Sequence, residues 1–302
     1  MSKPQDHSGY KPEQTAACEQ LLVTLIRGIG PWRASVTVVG GLVPSLLIPG
    51  EEHVGTTDVD LVVDLEEIAE TDAYKTLEQN LKKLGLKRGQ NEDGRAQHFR
   101  WTRTKDGAAT TTVELLCPAP TDEEAGKVRS LKDGGERGLS AIGIPGAHLV
   151  FDDFEEVEIT TALLDGRGTA TVVVRVAGVV AYVVLKSLAY ESRWEPKDAY
   201  DLVFMLLNHA DGPQEIGRRF AVQMAAASPD DEPLYQKALV ILKSRFVSDD
   251  KIRGTDKDGP VSYANFVAPN DPEAQLLARR NAVAAIAAFL DGLELDSEPS
   301  GV

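Results

Sequence analysis

The chain has 302 residues, of which 42% are hydrophobic and 26% are charged, and its formal net charge is −15 at pH 7. The proportions are those of a globular protein with a core of its own. Because phosphate neutralisation requires Lys and Arg, the acidic balance argues against a protein that coats nucleic acid, although it leaves a local basic patch open.

The N-terminal sequence predicts neither secretion nor a membrane anchor. Residues 1–14 contain no apolar segment of the signal-peptide type, and no uncharged apolar run approaches the roughly 18 residues of a membrane span. Cys18 and Cys117 are far apart and lack metal-ligand spacing. We therefore expect a cytoplasmic protein without a membrane partner.

The first half of the chain alternates strand patterns with helical patterns. The predicted elements are a helix over residues 12–30, a buried strand over 35–41, a helical turn over 42–48, a strand from about Val59 and a helix over 72–85. Alternating sequences predict antiparallel strands around a turn at 105–108, and a second hairpin around Asp165-Gly166. Residues 119–150 predict mostly loop with a short helix.

From Val179 onward the patterns are helical. The predicted helices cover residues 179–192, 196–209, 213–227, 232–246 and 272–293, and the polar stretch 247–270 predicts a loop. The fold class is therefore α+β, with a sheet and flanking helices in residues 1–177 and a helical domain in residues 178–302.

Two carboxylates stand at alternate positions in GTTDVDLVVD (55–64). In a strand, Asp58 and Asp60 point to the same face, where like charges repel unless a positive partner lies between them. Glu114 lies within a second strand and is flanked by apolar residues. Three convergent carboxylates suit hard divalent cations, so Mg²⁺ or Mn²⁺ is the predicted partner and the three side chains are the predicted metal ligands.

The glycines at the end of the first strand add a second feature. Gly40 and Gly41 would allow the backbone to approach a triphosphate closely, and the following helical turn would favour an anion. Asp-x-Asp or Gly-Gly alone is a weak signal, because turns and strand ends are rich in both residue types. Their order in the chain, followed by a strand-borne Glu, favours a functional site.

These segments, VVGG, TTDVDLVV and VELL, resemble the nucleotidyltransferase core of the polymerase-β superfamily. LKSLAYESRWEPKDAYDLVFML (185–206) resembles the Lys-x-x-Ala-x-x-x-Arg and Lys-Asp-x-x-Asp-Leu block of AbiEii/AbiGii toxin-type nucleotidyltransferases. The resemblance covers about residues 35–210. It implies a nucleotidyltransferase-like mixed sheet in the N-terminal half and a helical C-terminal half that completes the nucleotide site.

The resemblance also implies residue roles. Asp58, Asp60 and Glu114 would be catalytic and would hold the metal, and Lys186 would contact the nucleotide phosphates. Lys197, Asp198 and Asp201 would form the helical block, in which Lys197 and Asp198 would bind the nucleotide. Asp201 would hold a lysine in place and, with Lys186, would belong to the catalytic residues. For Lys197 and Asp198 the alternative is a solvated, salt-bridged helix surface, whereas the apolar sequence around Lys186 indicates a lysine with a partner or a function.

The sequence departs from the family pattern at two points. Sixteen residues separate Gly41 from Asp58, a long spacing in which Pro49-Gly50 predicts a surface insertion. Gly follows Gly40 where the family also has Ser, so a hydroxyl contact to phosphate would come from Ser45 or Thr57, or be absent.

The predicted function is transfer of a nucleotidyl group from an NTP to a hydroxyl. The resemblance implies a toxin-antitoxin or phage-defence component with a cognate antitoxin or defence-system partner and an acceptor such as the 3′ end of tRNA. The acidic charge argues against a large RNA acceptor, which leaves synthesis of a nucleotide-based signal as an alternative. A non-catalytic antitoxin or scaffold that retains the fold is the alternative from a different class.

Overall fold

The protein is α+β, as predicted, with its strands in the N-terminal half and a helical C-terminal half. The computed structural model describes residues 4–64, 73–90, 94, 96–105, 108–130, 139–164, 166 and 168–294. The chain divides into two compact units. The sheet unit comprises Lys11–Leu46 and Val54–Gly178, and the helical unit comprises Met1–Tyr10, Leu47–His53 and Val179–Val302.

Nine strands form one mixed sheet in the described part of the sheet unit. They are β1 (Val36–Val39), β2 (Asp58–Val63), β3 (Lys87–Gln90), β4 (Ala96–Lys105), β5 (Ala108–Pro118), β6 (Val128–Ser130), β7 (Ser140–Ile144), β8 (Phe154–Ala162) and β9 (Thr169–Ala177). Seven of them follow the order β3-β4-β5-β2-β1-β9-β8. β7 pairs in parallel with the end of β5, and β6 pairs with β7.

Parallel and antiparallel pairings alternate near the centre of the sheet. β2 is antiparallel to β1 and parallel to β5, and β1 is parallel to β9. The β4–β5 and β8–β9 pairs are antiparallel, as the two predicted hairpins require. The predicted turn at 105–108 and the tip at Asp165 fall partly outside the described residues.

The two faces of β2 and β5 differ in burial. Val59, Leu61, Val113 and Leu115 are fully buried, whereas the alternate residues of both strands are mostly half-exposed. This alternation is the period of two that a strand with one covered face shows. The sheet therefore has an apolar face that joins the core and a polar face on which functional side chains can stand.

Three described helices belong to the sheet unit. They are α1 (Pro12–Ile29), α2 (Val43–Leu47) and α3 (Ala73–Lys83). α1 packs against α3 and against strands β2, β5, β8 and β9. Its apolar residues recur at helical spacing, and those from Leu21 to Ile26 are almost completely buried.

The helical unit contains six described helices. They are α4 (Val179–Arg193), α5 (Pro196–Asn208), α6 (Gly212–Ala226), α7 (Glu232–Phe246), α8 (Asp258–Val267) and α9 (Pro272–Glu294). α5 contacts α4, α6, α8 and α9 and is the central helix of the unit. Pro stands in the first turn of α5, α6 and α7, where its missing N–H and fixed φ are tolerated.

Two loop predictions are wrong in part, as far as the described residues show. Residues 119–150 contain β6 and β7, and residues 247–270 contain α8. β7 has only five residues and gains its stability from pairing with β5, a non-local contact that local sequence does not reveal. The sequence did not predict α8 because Gly259 and Pro260 stand in its first turn. The helix nevertheless buries Ala264 and Phe266 against its neighbours.

No helix in the described residues is both long enough and apolar enough to cross a membrane.

Candidate functional site

Asp58 and Asp60 begin β2 on the polar face of the sheet, and both are half-exposed. In the parallel β2–β5 pair, Asp58 lies opposite Thr112 and Asp60 lies opposite Glu114. Residues directly opposite one another in a sheet share a face. The three predicted carboxylates therefore stand on one face at adjacent strand positions, which we call the carboxylate face.

Glu114 already has a positive partner on this face. Arg100 of β4 lies directly opposite Glu114 in the antiparallel β4–β5 register. Its Nε donates to Glu114 Oε1 at 2.8 Å, and its Nη2 donates to the same oxygen. The row across the sheet is thus Arg100, Glu114 and Asp60, and one guanidinium offsets part of the repulsion between the two carboxylates.

Gly40 allows Asp60 to lie close to the backbone. It has φ +74°, a conformation that favours glycine, and a Cβ built there would lie 2.8 Å from Asp60 Cγ. The space beside Gly40 is therefore filled by the Asp60 carboxylate. The helix that follows this turn, α2, has only five residues, so the predicted anion-binding helix terminus gains no support from it.

The residues that precede Asp58 fix the start of the strand. The Thr56 hydroxyl accepts the Asp58 backbone N–H at 3.2 Å and lies 3.3 Å from the Asp58 carbonyl. The Thr57 carbonyl accepts the N–H of Thr112 at 3.3 Å, which extends the β2–β5 ladder by one bond. Thr57 therefore contributes a backbone contact here, and Ser45 lies half-buried in α2.

Asp58 and Asp60 also influence a buried thiol. Cys18 lies in α1, and its Sγ donates to the Thr56 carbonyl at 3.7 Å. Burial raises the pKa of the Cys18 thiol, and the charges of Asp58 and Asp60 raise it further. The Cys18 thiol therefore stays protonated at neutral pH.

The donor atoms of the carboxylate face fit a hard divalent cation in kind. Carboxylate oxygens are the ligands that Mg²⁺ and Mn²⁺ prefer. Among the residues that the structure describes, no group of three or more His, Cys, Asp and Glu side chains is close enough together to hold a metal. In this arrangement Glu114 is bonded to Arg100.

The other predicted residues meet inside the helical unit. Lys186 of α4 is 5% exposed, and its Nζ donates to Asp198 Oδ1 at 2.9 Å and to Asp201 Oδ2 at 2.6 Å, both on α5. Arg193 donates to both oxygens of Asp198 in a bidentate pair. These ion pairs join the middle and the end of α4 to the first two turns of α5.

Asp201 has two further partners. Lys197 Nζ lies 2.7 Å from Asp201 Oδ1, and His53 Nε2 lies 2.9 Å from the same oxygen. The His53 side chain is 1% exposed and packs against the rings of Tyr200 and Phe204. We call these six residues the buried ion cluster, of which only the Arg193 side chain is half-exposed: His53, Lys186, Arg193, Lys197, Asp198 and Asp201.

Burial and charge set the protonation states in the buried ion cluster. Burial acts to raise the pKa of Asp198, but the charges of Lys186 and Arg193 outweigh it and hold that pKa at about 2. Against the same effect of burial, Lys186 and Lys197 hold the pKa of Asp201 well below its usual range. Both carboxylates are therefore ionised at neutral pH.

The cations of the cluster respond differently to burial. Burial opposes the charged form of Lys186, yet Asp198 and Asp201 together raise its pKa. Burial lowers the pKa of Lys197, which has one carboxylate partner and is repelled by Lys186. Burial also lowers the pKa of His53 despite its bond to Asp201, so the imidazole is neutral at pH 7.

The structure thus sorts the predicted residues into two groups. The carboxylate face in the sheet unit contains Asp58, Asp60 and Glu114, with Gly40 and Gly41 at the end of β1. Lys186, Lys197, Asp198 and Asp201 lie together in the helical unit. Sequence reasoning missed Arg100 as the partner of Glu114, because the partner is defined only by the β4–β5 register.

His53 was missed for a related reason. The segment around Pro49-Gly50 was predicted to be a surface insertion, and Pro49–Glu52 are exposed. The same segment, Leu47–His53, belongs to the helical unit, and the buried side chain of His53 at its end contacts Asp201. A histidine that follows Glu51-Glu52 in a Pro-Gly turn carries no local signal of burial.

Comparison with known proteins adds little to this geometry. No protein-family model matches the chain, and none of the curated proteins compared with it matches. Among solved structures, the crystal structure of JHP933 from Helicobacter pylori is similar over 95% of this chain and 96% of that chain. The identity is 11% and the TM-score is 0.37, and a likeness at that score does not establish a common fold.

Proposed function

We propose that the protein is a metal-dependent nucleotidyltransferase of the AbiEii/AbiGii type that moves a nucleotidyl group from an NTP to a hydroxyl acceptor. The observation that supports the proposal most is the carboxylate face. Asp58 and Asp60 occupy alternate positions on β2, Glu114 lies directly opposite Asp60, and the Asp60 carboxylate lies against Gly40. Strand register therefore brings together three residues that are 56 positions apart in the chain at their extremes.

In this proposal Asp58, Asp60 and Glu114 would hold Mg²⁺ or Mn²⁺. Such an ion would supply electrostatic stabilisation of the charge that develops on phosphate oxygens. In the transfer, the acceptor hydroxyl oxygen forms a bond to the α-phosphorus, the bond from that phosphorus to the pyrophosphate oxygen breaks, and pyrophosphate leaves. Glu114, which lies opposite Asp60 in the β2–β5 register, would also orient the acceptor hydroxyl and accept its proton.

The buried ion cluster has a different part in the proposal. The resemblance assigns phosphate contact to Lys186, and that role stays a prediction, because its ammonium donates to two carboxylates in this structure. The geometry supports a framework role, in which Asp201 joins residues of α4, α5 and the segment that contains His53.

The experiment that tests the proposed function uses the full chain, each of the four α-labelled NTPs and Mg²⁺, with and without total tRNA. We expect the wild type to transfer the label to an acceptor and Asp58→Ala to lose this transfer. Glu158→Ala, which removes an exposed carboxylate from β8 of the same sheet, is the matched control and is expected to keep activity. Equal transfer by Asp58→Ala and the wild type would exclude this site.

A second candidate differs only in the acceptor. The net charge of −15 opposes close approach of a large polyanion such as tRNA, whereas a single nucleotide carries far less charge. Under this alternative the labelled product forms without tRNA and is a small nucleotide. The toxin-antitoxin or phage-defence setting is part of the proposal in either case.

A further inference from the structure

We propose that Arg100 is a positioning residue that competes with the divalent cation for Glu114 and so weakens metal binding at the carboxylate face. This inference rests on the proposed function. It concerns a residue to which neither the motif nor the resemblance assigns a role.

The geometry of the pair supports competition rather than a casual surface contact. Nε and Nη2 of Arg100 both donate to Oε1 of Glu114, so one oxygen is occupied by the guanidinium fork. The Glu114 side chain is only 15% exposed. A metal that takes this carboxylate as a ligand must therefore share it with Arg100 or displace Arg100.

A glycine on the neighbouring strand leaves room for the side chain of Arg100. A Cβ built on Gly89 of β3 would lie 3.0 Å from Arg100 Cγ and 3.1 Å from its Cδ. The aliphatic stem of Arg100 therefore lies along bare backbone, and its charged end reaches Glu114. The stem is supported while the side chain remains 35% exposed, so the guanidinium can leave towards solvent.

The charges on the carboxylate face also support competition between Arg100 and a divalent cation. Asp58, Asp60 and Glu114 contribute three negative charges and Arg100 contributes one positive charge, which leaves a formal total of −2. Removing the arginine makes the total −3 and frees the Oε1 lone pairs of Glu114. Both changes favour a divalent cation.

The test measures Mn²⁺ binding to the metal-free full chain by calorimetric titration, without nucleotide. We expect Arg100→Gln to bind Mn²⁺ about three- to tenfold more tightly than the wild type, a range set by a partly exposed charge-assisted bond. Arg100→Lys keeps the charge but loses the fork, and we expect it to fall between the two. Melting of each metal-free variant establishes that it is folded before titration.

Two controls separate the pair from general electrostatics. Arg103→Gln removes the same charge from the same strand, at a position opposite Thr111 rather than Glu114, and is expected to change Mn²⁺ affinity by less than about twofold. In a Glu114→Gln background, the gain from Arg100→Gln is expected to disappear, as a double-mutant cycle for a direct pair requires.

The inference is overturned if Arg100→Gln binds Mn²⁺ no more tightly than the wild type, if Arg103→Gln gives the same gain, or if the gain persists without Glu114. Asp60→Ala distinguishes this failure from failure of the proposed function. Loss of Mn²⁺ binding in Asp60→Ala together with an unchanged Arg100→Gln would refute the competition alone. Equal binding by Asp60→Ala and the wild type would refute the metal site as well.

Discussion

Gly40 is the residue at which the backbone of the site is least tolerant of change. Its φ of +74° lies in the left-handed region, and a side chain there would overlap the Asp60 carboxylate. Two separate costs therefore fall on one substitution: backbone strain and displacement of a proposed metal ligand.

We predict that Gly40→Ala destabilises the protein by at least the roughly 1–2 kcal/mol that a left-handed non-Gly residue costs, and also weakens Mn²⁺ binding. Gly85→Ala is the matched control, because Gly85 has φ +78° and no atom near the position of its Cβ. The control is expected to show the stability loss without the change in Mn²⁺ affinity. Identical Mn²⁺ affinity for Gly40→Ala and the wild type would contradict the placement of Asp60.

His53 is the second residue whose environment makes a measurable prediction. Its ordinary pKa is 6.5, and burial lowers that value in the folded protein. As the pH falls below about 6.5, the His53 imidazole therefore binds a proton in the unfolded chain but not yet in the folded chain. The stabilisation is complete above pH 6.5 and is lost as the pH falls towards the lowered pKa.

We predict that the free energy of unfolding decreases as the pH falls below 6.5, by up to about 1.4 kcal/mol per pH unit from this one site. Urea unfolding at several pH values measures the slope. His53→Gln is expected to flatten it, whereas His148→Gln, a substitution in the sheet unit, is expected to leave it in place. A slope that survives His53→Gln would show that other groups cause it.

At the scale of elements, the α4–α5 pair depends on the buried ion cluster. Lys186 lies on α4, and its two carboxylate partners lie on α5 one turn apart. The lysine compensates charges that are almost completely buried. Removing it leaves Asp198 with Arg193, and Asp201 with Lys197 and His53.

Lys186→Met is therefore expected to destabilise the helical unit, towards the lower end of the roughly 3–5 kcal/mol that breaking a buried ion pair costs. Urea unfolding followed by circular dichroism measures the loss. Lys243→Met, an exposed lysine on α7, is the control and is expected to change stability by less than about 0.5 kcal/mol. If both variants had the free energy of unfolding of the wild type, Lys186 would not contribute to stability through the buried ion cluster.

The elements that sequence predicts well are those whose signal is local. α1, α5 and β2 begin within one or two residues of their predicted starts, because helical period, a Pro in the first turn and an apolar run are each contained in a short window. β7 and α8 were missed because their stability comes from distant partners. Arg100 and His53 were missed for the same reason, since a register and a burial environment are not local properties.

At the scale of the whole molecule, the site residues that the motifs predicted fall into two structural groups. Each group is internally consistent: the carboxylates share one face of the sheet, and the lysines and aspartates of the helical block bond to one another. The sheet-borne group presents carboxylate oxygens of the kind that divalent cations bind, whereas the Lys186 ammonium of the helical group already donates to two carboxylates. The proposed chemistry is therefore assigned to the sheet unit.

The overall charge bears on the acceptor. A chain of net charge −15 repels polyanions at low ionic strength, and salt screens that repulsion over about 10 Å at 0.1 M. If the acceptor is tRNA, raising the salt concentration from a low value should first favour encounter. If the acceptor is a nucleotide, the rate should depend little on salt.

The most direct measurement follows two labels on the same NTP. Full-length protein is incubated with Mg²⁺ and an NTP labelled at the α- or the γ-phosphate, with nucleotide and tRNA acceptors, and the products are separated. The account predicts that the α label enters an acceptor, that the γ label leaves as pyrophosphate, and that Asp60→Asn reduces transfer by about 10³-fold. Transfer of the γ label instead, no transfer of the α label with any NTP, or transfer by Asp60→Asn at the wild-type rate would contradict it.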